Sequence, residues 1–482
     1  MDTLGAVIGG LSCLVAVAVN KAVPDPYLDE VFHIPQAQRY CENDYTWDPK
    51  ITTPPGLYYL SKALLRYLKC STISLRGVNV FGVCVALPLV LRLFPDSSPS
   101  SSVTHPRGRL SARTVVMLQL FPTFYFFGFL YYTDVWSTIF ALLSVALANS
   151  SSTALPVIFV KTAVGLCNLC LRQTNIVWVL YAFLTELLAL LVYPDEKGKE
   201  RADDAVAPNR TVYAIGSAFD VIDVCLTVVR RAVARLMRSD VKRRRFWRIV
   251  GGYGVVGTVF AAFVLYNGGI TLGDKDNHVA GLHIPQLFYF SVFTCILALP
   301  TTFPQLSRTL TALLVHHPFA FITTTSLFAL AIKFTTIAHP FLLADNRHYP
   351  FYVWRRIINR TPWSRYALAP AYVVSMYIVF VRSWRRERFV SALAFVGACA
   401  AVLVPSPLIE CRYYIVPYFV WRLRVAASEA VDENKEKKQE REVREWCELV
   451  WYLIINVCTI GLFLGKTFEW SQEPGVKQRF MW

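Results

Sequence analysis

The chain has 482 residues, of which 55% are hydrophobic, and it carries a formal net charge of +16 at pH 7. That apolar content is higher than in soluble proteins, and runs of about 18 apolar residues recur, which excludes a soluble multidomain protein and predicts a polytopic α-helical membrane protein. The basic residues cluster between apolar segments, as in the cytoplasmic loops of membrane proteins, and no nucleic-acid-binding motif accompanies them.

The apolar segments predict an all-α fold with about 13 (12–14) transmembrane helices. The first segment has no basic region before it and no convincing cleavage site after it, so we expect a retained transmembrane helix rather than a signal peptide. No internal repeat is visible, and residues 1–482 are treated as a single integral membrane domain. The segments are Leu4–Val19, Val78–Leu93, Thr114–Tyr132, Val135–Ala148, Ala154–Leu171, Ile176–Tyr193, Ile249–Tyr266, Leu287–Phe303, Phe319–Ile337, Ala367–Val381, Phe389–Val404, Tyr414–Val425 and Leu449–Leu464.

The polar stretch Pro24–Leu60 follows the first apolar segment and makes up most of residues 20–75, which we expect to form a catalytic first luminal loop. Two adjacent carboxylates, Asp29 and Glu30, would point about 100° apart on a helix, so only one of them can face a substrate. A partly desolvated carboxylate is a plausible general base for a sugar hydroxyl. The alternative is a structural acid at the start of a short amphipathic helix with Asp25 as its N-cap.

His33 and Gln36 follow the acidic pair and are candidate substrate-binding residues. His33 lies about one helical turn from the pair and is a candidate to orient one of its members, although a lone histidine is more often structural. No further ligands stand at a spacing suited to a metal, so we expect no metal and no cofactor. Cys41 and Cys70 pair in a disulfide if this loop faces an oxidising lumen, and stay free otherwise.

The distribution of positive charge predicts which side of the membrane each loop faces. With residues 20–75 on the non-cytoplasmic side, the dense basic clusters fall on the cytoplasmic side, and the pair Arg355–Arg356 is the main exception. The basic cytoplasmic loop 194–246 contains Val221–Arg238, which is either an amphipathic helix on the membrane surface or a solvated connector. Residues 426–448 are expected to form a charged, solvated cytoplasmic linker.

Three short polar clusters fall on the predicted luminal side, and they look like the walls of a site rather than solvated charge runs. A planar guanidinium suits a phosphate, although a cation at a helix end can instead anchor that helix at the membrane interface. Several cations on the same side as an acidic pair indicate an anionic, lipid-linked substrate. The candidate substrate-binding residues are Arg172, Gln173 and Asn175 in one cluster, Asp345, Arg347 and His348 in a second, and Arg412 in a third.

Several long motifs extend over nearly the whole chain. They are YLDEVFHIPQAQRYC (Tyr27–Cys41), WDPKITTPPGLY (Trp47–Tyr58), RQTNIVW (Arg172–Trp178), HIPQLFYF (His283–Phe290), ADNRHY (Ala344–Tyr349) with FYVWRR (Phe351–Arg356), and ECRYYIVPY (Glu410–Tyr418). In composition and order these motifs resemble the dolichyl-phosphoglucose-dependent α-1,2-glucosyltransferases of N-glycan assembly. They are specific to that family rather than to its α-1,3 relatives.

The resemblance implies a GT-C enzyme of the endoplasmic reticulum membrane with a luminal active site. Such an enzyme transfers the third and last glucose from dolichyl-phosphate glucose to the diglucosylated, nine-mannose dolichyl-diphosphate oligosaccharide, with inversion. By resemblance, Asp29 is the base with Glu30 as second choice, and Arg347, His348 and Arg412 hold the donor phosphate. It also implies that no metal is needed, because the leaving group is a lipid monophosphate.

A polytopic transporter, or a non-catalytic, channel-associated membrane protein with the same fold, is the alternative. A transporter would place polar residues at mid-membrane in broken helices, often in paired halves. Here the polar motifs gather at predicted helix ends. A catalytically dead relative would be expected to lose the luminal acids, whereas Asp29 and Glu30 are both present. The sequence therefore favours the enzyme.

Overall fold

The computed structural model describes residues 3–94, 110–150, 152–192, 212, 218–275, 277–384, 388–429, 435–470 and 473–482. Within these ranges the chain is mainly helical, with one two-stranded antiparallel sheet near its C-terminal end. The all-α polytopic class predicted from the apolar segments is therefore confirmed.

The helices and strands of the described ranges follow in chain order. The α-helices are α1 Thr3–Ala22, α2 Glu30–Cys41, α3 Gly56–Leu64, α4 Thr72–Phe81, α5 Leu87–Leu91, α6 Ala112–Gln119, α7 Pro122–Phe127, α8 Asp134–Ala148, α9 Leu155–Leu171, α10 Ile176–Leu191, α11 Ala218–Arg238, α12 Asp240–Asn267, α13 Pro285–Leu297, α14 Leu299–Thr302, α15 Leu306–Thr311, α16 Pro318–Thr335, α17 Pro340–Ala344, α18 Tyr349–Val353, α19 Ser364–Ala367, α20 Ala369–Met376, α21 Phe389–Leu403, α22 Ile415–Glu429 and α23 Lys435–Gly465. The strands are β1 Thr467–Trp470 and β2 Glu473–Arg479. Short π-helical turns occupy Gly82–Ala86, Ala312–His316, Trp354–Ile358 and Tyr377–Arg382, and 3₁₀ turns occupy Gln173–Asn175, Phe303–Gln305 and Cys411–Tyr414.

Seven helical segments of the described chain are long and apolar enough to cross a membrane. An eighth is counted if α13 and the next helical segment, Leu299–His316, form one span. The two segments are bent by 93° relative to each other at Ala298. Three further apolar helices, α8, α9 and α21, are shorter. The predicted segment Thr114–Tyr132 is interrupted, because Phe121 precedes Pro122 and adopts an extended ψ of 118° that ends the helix. The count of about 13 spans stays a prediction.

Residues 23–71, with α2 and α3, form a unit that we name the cap. Helix α2 begins at Glu30 and not near Asp25, so the predicted N-cap is wrong. The reason is Leu28, whose φ of +54° takes the chain through the left-handed region just before the helix. A disulfide joins Cys41 to Cys70 and closes the cap on itself.

The start of α3 fits closely against the end of α9. A Cβ at Gly56 would lie 2.4 Å from the main-chain oxygen of Cys170, so only glycine allows the two backbones to approach this closely. The contact holds the Pro-rich loop of the cap against the helices that carry the rest of the site.

The strands β1 and β2 form a C-terminal hairpin that directly follows α23. The pairing is antiparallel, with Thr467 opposite Arg479. Beyond β2 the chain makes one parallel β-bridge to His348, because the amide of Met481 donates to the Arg347 carbonyl (2.9 Å) and its carbonyl accepts from the Tyr349 amide (3.0 Å). The pattern of apolar segments does not predict this hairpin.

Helix α11 includes the predicted amphipathic stretch Val221–Arg238. Part of its surface packs on α10 and α12. A second, apolar stripe is exposed, at Phe219, Ile222, Leu226, Val229, Val233 and Met237. An exposed stripe with this helical spacing, beside arginines, is typical of a helix that lies on a membrane surface. The helix is thus found, and its attachment to the membrane stays a prediction.

Candidate active site

A cavity of about 550 Å³ opens between the cap, the two polar segments near residues 345 and 410, and the C-terminal hairpin. It brings together five of the residues that the sequence singled out: Asp29, Asp345, Arg347, His348 and Arg412. Asp29 is more than 300 positions from the other four residues in the chain, and the fold brings all five to one cavity.

Asp29 stands immediately before α2 and turns its carboxylate toward the cavity. Its Oδ2 atom accepts a hydrogen bond from Arg412 Nη1 at 2.7 Å, and its side chain keeps 41% of its exposure. Its main-chain amide donates to the Tyr132 hydroxyl at 3.3 Å. In the described part of the chain, Oδ1 has no hydrogen-bond partner, so this oxygen is open to a substrate.

Glu30 points the other way, into the protein, and is fully buried. Arg76 donates to both of its oxygens, at 2.9 Å and 2.6 Å. The main-chain amides of Tyr27 and Tyr131 donate to them as well, at 3.0 Å and 2.6 Å. Four donors to one carboxylate make this a satisfied structural ion pair.

Arg412 is the centre of a network of carboxylates. Besides Asp29, it contacts Glu410 at 2.8 Å and Asp134 at 3.7 Å. Arg172 in turn donates to the other oxygen of Asp134 at 2.7 Å. Arg172 therefore belongs to the site's charge network, although it does not line the cavity.

Arg347 lies in a second wall of the cavity. Its Nε and Nη2 atoms each donate to Asp345 at 2.8 Å, which fixes the plane of the guanidinium. Its third nitrogen, Nη1, donates to Gln478 Oε1 at 3.3 Å. Beside it, His348 Nδ1 is 2.8 Å from the carbonyl oxygen of Trp482 and its Nε2 lies 3.7 Å from Asp345.

The remaining predicted residues lie away from the cavity wall. His33 Nδ1 is 2.7 Å from the Tyr58 hydroxyl, and Gln36 bonds to the main chain of Thr46 and Asp48. Gln173 donates to the Thr52 carbonyl at 2.7 Å. Asn175 is buried, and its side chain bonds to Ser137 and Asn168. These contacts brace the cap and the helix ends.

Charge and burial compete at the site. Burial raises the pKa of Asp29, but the neighbouring Arg412 and His33 outweigh that effect and hold the pKa below its usual range. Burial lowers the pKa of His33, and this effect is larger than the opposing effect of the Asp29 charge. The imidazole is therefore neutral near pH 7. Burial also opposes ionisation of Asp345, yet its bonds with Arg347 leave the pKa of the carboxyl below normal.

Sequence reasoning missed two parts of the site. The first is Asp134, which begins α8 and joins Arg172 to Arg412. The second is the C-terminal hairpin, which contributes Glu473, Val476, Gln478 and Trp482 to the cavity. The available signal was the sequence Glu-Pro-Gly (Glu473–Gly475), which is unfavourable in a helix and follows an apolar helix that ends on the side predicted to be luminal.

The described residues contain no group of three or more His, Cys, Asp or Glu side chains arranged to hold a metal ion. The cavity instead presents single carboxylates paired with arginines. Such an arrangement suits an anionic substrate and proton transfer to a carboxylate.

Comparison with known proteins assigns the chain to a family. The DIE2/ALG10 family model matches residues 23–423. Among similar proteins, enzymes named Dol-P-Glc:Glc(2)Man(9)GlcNAc(2)-PP-Dol alpha-1,2-glucosyltransferase are 34% identical in Yarrowia lipolytica, 33% in Homo sapiens and 33% in Arabidopsis thaliana. These alignments cover 96%, 98% and 97% of this chain and 94%, 96% and 97% of the respective relatives.

No solved structure matches the chain. The family model nevertheless covers the cap, both polar segments and α2 to α21, so it includes the elements that form the cavity except the C-terminal hairpin. The chain is therefore a member of the DIE2/ALG10 family.

Proposed function

We propose that this protein is an inverting α-1,2-glucosyltransferase that moves glucose from dolichyl-phosphate glucose to the diglucosylated, nine-mannose dolichyl-diphosphate oligosaccharide. The names of its full-length relatives support this activity. The observation that carries the proposal is a cavity with one open carboxylate, Asp29, and a second wall with a fixed arginine and a histidine.

Asp29 is the general base of the proposed reaction. The acceptor 2-hydroxyl oxygen attacks the anomeric carbon, its proton passes to the Asp29 carboxylate, and the bond from the anomeric carbon to the phosphate oxygen breaks with its electron pair. Arg412 holds Asp29 in place and keeps it ionised. The four internal donors to Glu30 and its burial support Asp29 rather than Glu30 in this role.

Dolichyl phosphate leaves as an anion, and Arg347 stabilises it together with the protonated form of His348, in which both ring nitrogens donate. Asp345 occupies the Nε–Nη2 edge of the Arg347 guanidinium, and Gln478 accepts from one of the two N–H groups of Nη1, which leaves the second Nη1 N–H to serve a phosphate. Fixed cationic donors of this kind need no reorganisation during the reaction. Arg412 provides further positive charge between Asp29 and the leaving group.

The rim of the cavity offers apolar side chains to the isoprenoid tail of the donor. Phe341, Leu342, Phe351 and Leu408 line the cavity, and Phe341 is exposed. Because the cavity borders helix ends, a prenyl chain can stay in the bilayer while its phosphate enters the site.

The finer fold and location form part of the same proposal. We assign a GT-C architecture with about 13 membrane spans, an endoplasmic reticulum membrane location and a luminal cap. The Cys41–Cys70 disulfide supports an oxidising compartment on the cap side. We also propose that catalysis needs no metal.

The test uses purified protein, dolichyl-phosphate glucose and the diglucosylated acceptor. Wild type should add one hexose, and EDTA should not change the rate. Asp29→Asn should lower kcat by roughly 10²–10⁴-fold, because the base is lost while the shape is kept. Asp25→Asn is the matched control, since Asp25 is an exposed acid of the same loop outside the cavity. An inactive, folded wild type contradicts the function, and a fully active Asp29→Asn contradicts the base.

A further inference from the structure

The C-terminal hairpin is built into the cavity as one of its walls. Glu473, Val476, Gln478 and Trp482 line the same space as Asp29 and Arg347. Gln478 and Met481 are almost fully buried, although strand β2 is otherwise largely exposed. The hairpin thus contributes a buried edge to the site.

Gln478 connects three groups of that wall. Its Oε1 accepts from Arg347 Nη1 at 3.3 Å and lies 3.4 Å from the Tyr27 hydroxyl oxygen. Its Nε2 donates to Glu473 at 2.6 Å. With Asp345 on one edge of the guanidinium and Gln478 on the other, all three nitrogens of Arg347 are placed by named partners.

The face of the Arg347 guanidinium is held as well. The Trp470 ring, from strand β1, lies 4.6 Å from its central carbon in a cation–π contact. The hairpin therefore contacts both an edge and a face of the arginine proposed to bind phosphate.

His348 is oriented by the last residues of the same segment. A main-chain oxygen can only accept, so the main-chain oxygen of Trp482 at 2.8 Å makes Nδ1 the donor, while Nε2 lies 3.7 Å from Asp345. The paired main chains of Met481 and residues 347–349 fix the position of the ring.

The hairpin is anchored rather than loosely attached. Arg479 donates to the carbonyls of Phe463 and Leu464 at the end of α23, and to Ala22 at the end of α1. The Tyr27 hydroxyl donates to the Arg479 carbonyl at 2.9 Å. Tyr27 is two residues before Asp29, so these contacts tie the hairpin to the part of the cap that carries the proposed base.

We propose that Gln478 is a positioning residue for the donor phosphate, acting through Arg347, and that the hairpin determines how tightly the lipid-phosphate donor binds. This inference rests on the proposed glucosyltransferase function and adds a third wall to its donor site. It assigns no contact between Gln478 and the reacting atoms.

The test compares Gln478→Met, which keeps the volume but removes both amide hydrogen bonds, with Lys477→Ala, an exposed neighbour on the same strand. Steady-state kinetics are measured separately for dolichyl-phosphate glucose and for the acceptor. Gln478→Met should raise the donor KM about tenfold, because a hydrogen bond to a charged group is lost. The acceptor KM should stay within about twofold, and Lys477→Ala should match wild type.

Trp470→Leu provides a second route if Gln478→Met does not fold, since it removes the ring beneath Arg347 and should also raise the donor KM. A purely structural role would lower the amount of active enzyme and leave both KM values unchanged. That result, or an unchanged donor KM in both variants, overturns the inference while wild-type activity still supports the function. An inactive wild type would instead count against the function itself.

Discussion

Two adjacent carboxylates have opposite surroundings in this protein. Asp29 has one oxygen on Arg412 and the other open to the cavity, whereas Glu30 is enclosed with Arg76. Neighbours on a helix diverge by about 100°, which explains how one can face a substrate while the next supports the core. The residue pattern predicted that only one could act, and the family resemblance put Asp29 first. The residue pattern alone could not separate the two, because their surroundings depend on Arg76 and on main-chain amides.

Glu30→Gln should therefore damage stability before it affects chemistry. The change leaves the Arg76 guanidinium buried without a counter-charge, and breaking a buried pair in this way costs about 3–5 kcal/mol. Thermal unfolding in detergent should show a clear loss relative to wild type. Asp29→Asn is the comparison, and it should unfold close to wild type because Arg412 retains Glu410 and Asp134. Equal unfolding of both variants would contradict this division of roles.

The pH dependence of catalysis should report the contact between Asp29 and Arg412. The folded pKa of Asp29 lies below its usual value of about 3.9. The carboxylate therefore stays ionised, and able to accept a proton, at pH values below that usual pKa. The stability that the ion pair contributes is present above the unfolded pKa and is lost as pH falls through the folded pKa. The acid limb of kcat/KM should thus lie at unusually low pH.

Arg412→Gln should move that acid limb to higher pH, because burial then acts without the opposing guanidinium. Arg347→Gln is the control: it should weaken donor use and leave the limb in place, since Arg347 is not among the charges that act on Asp29. The measurement is the pH profile of kcat/KM for each variant. Identical limbs in wild type and Arg412→Gln would refute the assignment of Asp29 as the titrating base.

At the scale of elements, the sequence predicted what depends on local pattern. Apolar runs located most of the membrane helices, and the amphipathic spacing located α11. The polar segments around Arg347 and Arg412 were placed on one side by charge alone, and the cavity brings them together. These features could be predicted because burial in a membrane and side-chain periodicity leave a direct trace in the composition.

Elements that depend on distant contacts could not be predicted in the same way. The hairpin is a short polar sequence with an irregular register at Trp470, and its edge is completed by main-chain bonds to residues 347–349. The start of α2 depends on the left-handed conformation of Leu28. The residue types around Leu28 do not indicate this conformation. A bulky residue with positive φ beside a proposed catalytic acid is a backbone strain of the kind that gathers at functional sites.

At the scale of the whole molecule, α23 connects two chemically different ends. Its 31 residues extend about 46 Å, which is more than the roughly 30 Å of a bilayer's hydrocarbon core. One end lies beside a cavity of about 400 Å³ lined by Arg308, Arg382, Lys437, Arg441 and Arg444. The other end leads into the hairpin and the proposed active site. Basic residues favour the cytoplasmic side, so the cap and hairpin should face the lumen.

A new glycosylation site in the cap can test this orientation. Tyr45→Thr converts Asn43-Asp44-Tyr45 into an acceptor sequence, and both Asn43 and Tyr45 are exposed. The chain's own acceptor sequences begin at Asn149, Asn209 and Asn359. In a background with these three changed to Gln, Tyr45→Thr should gain one endoglycosidase-sensitive glycan in microsomes, because N-glycans are added only in the lumen. The same background without Tyr45→Thr is the control and should carry none. The opposite result would be an unmodified Tyr45→Thr protein together with a glycan on an acceptor sequence placed in loop 194–246. It would show that the topology is inverted and that the proposed site faces the cytoplasm.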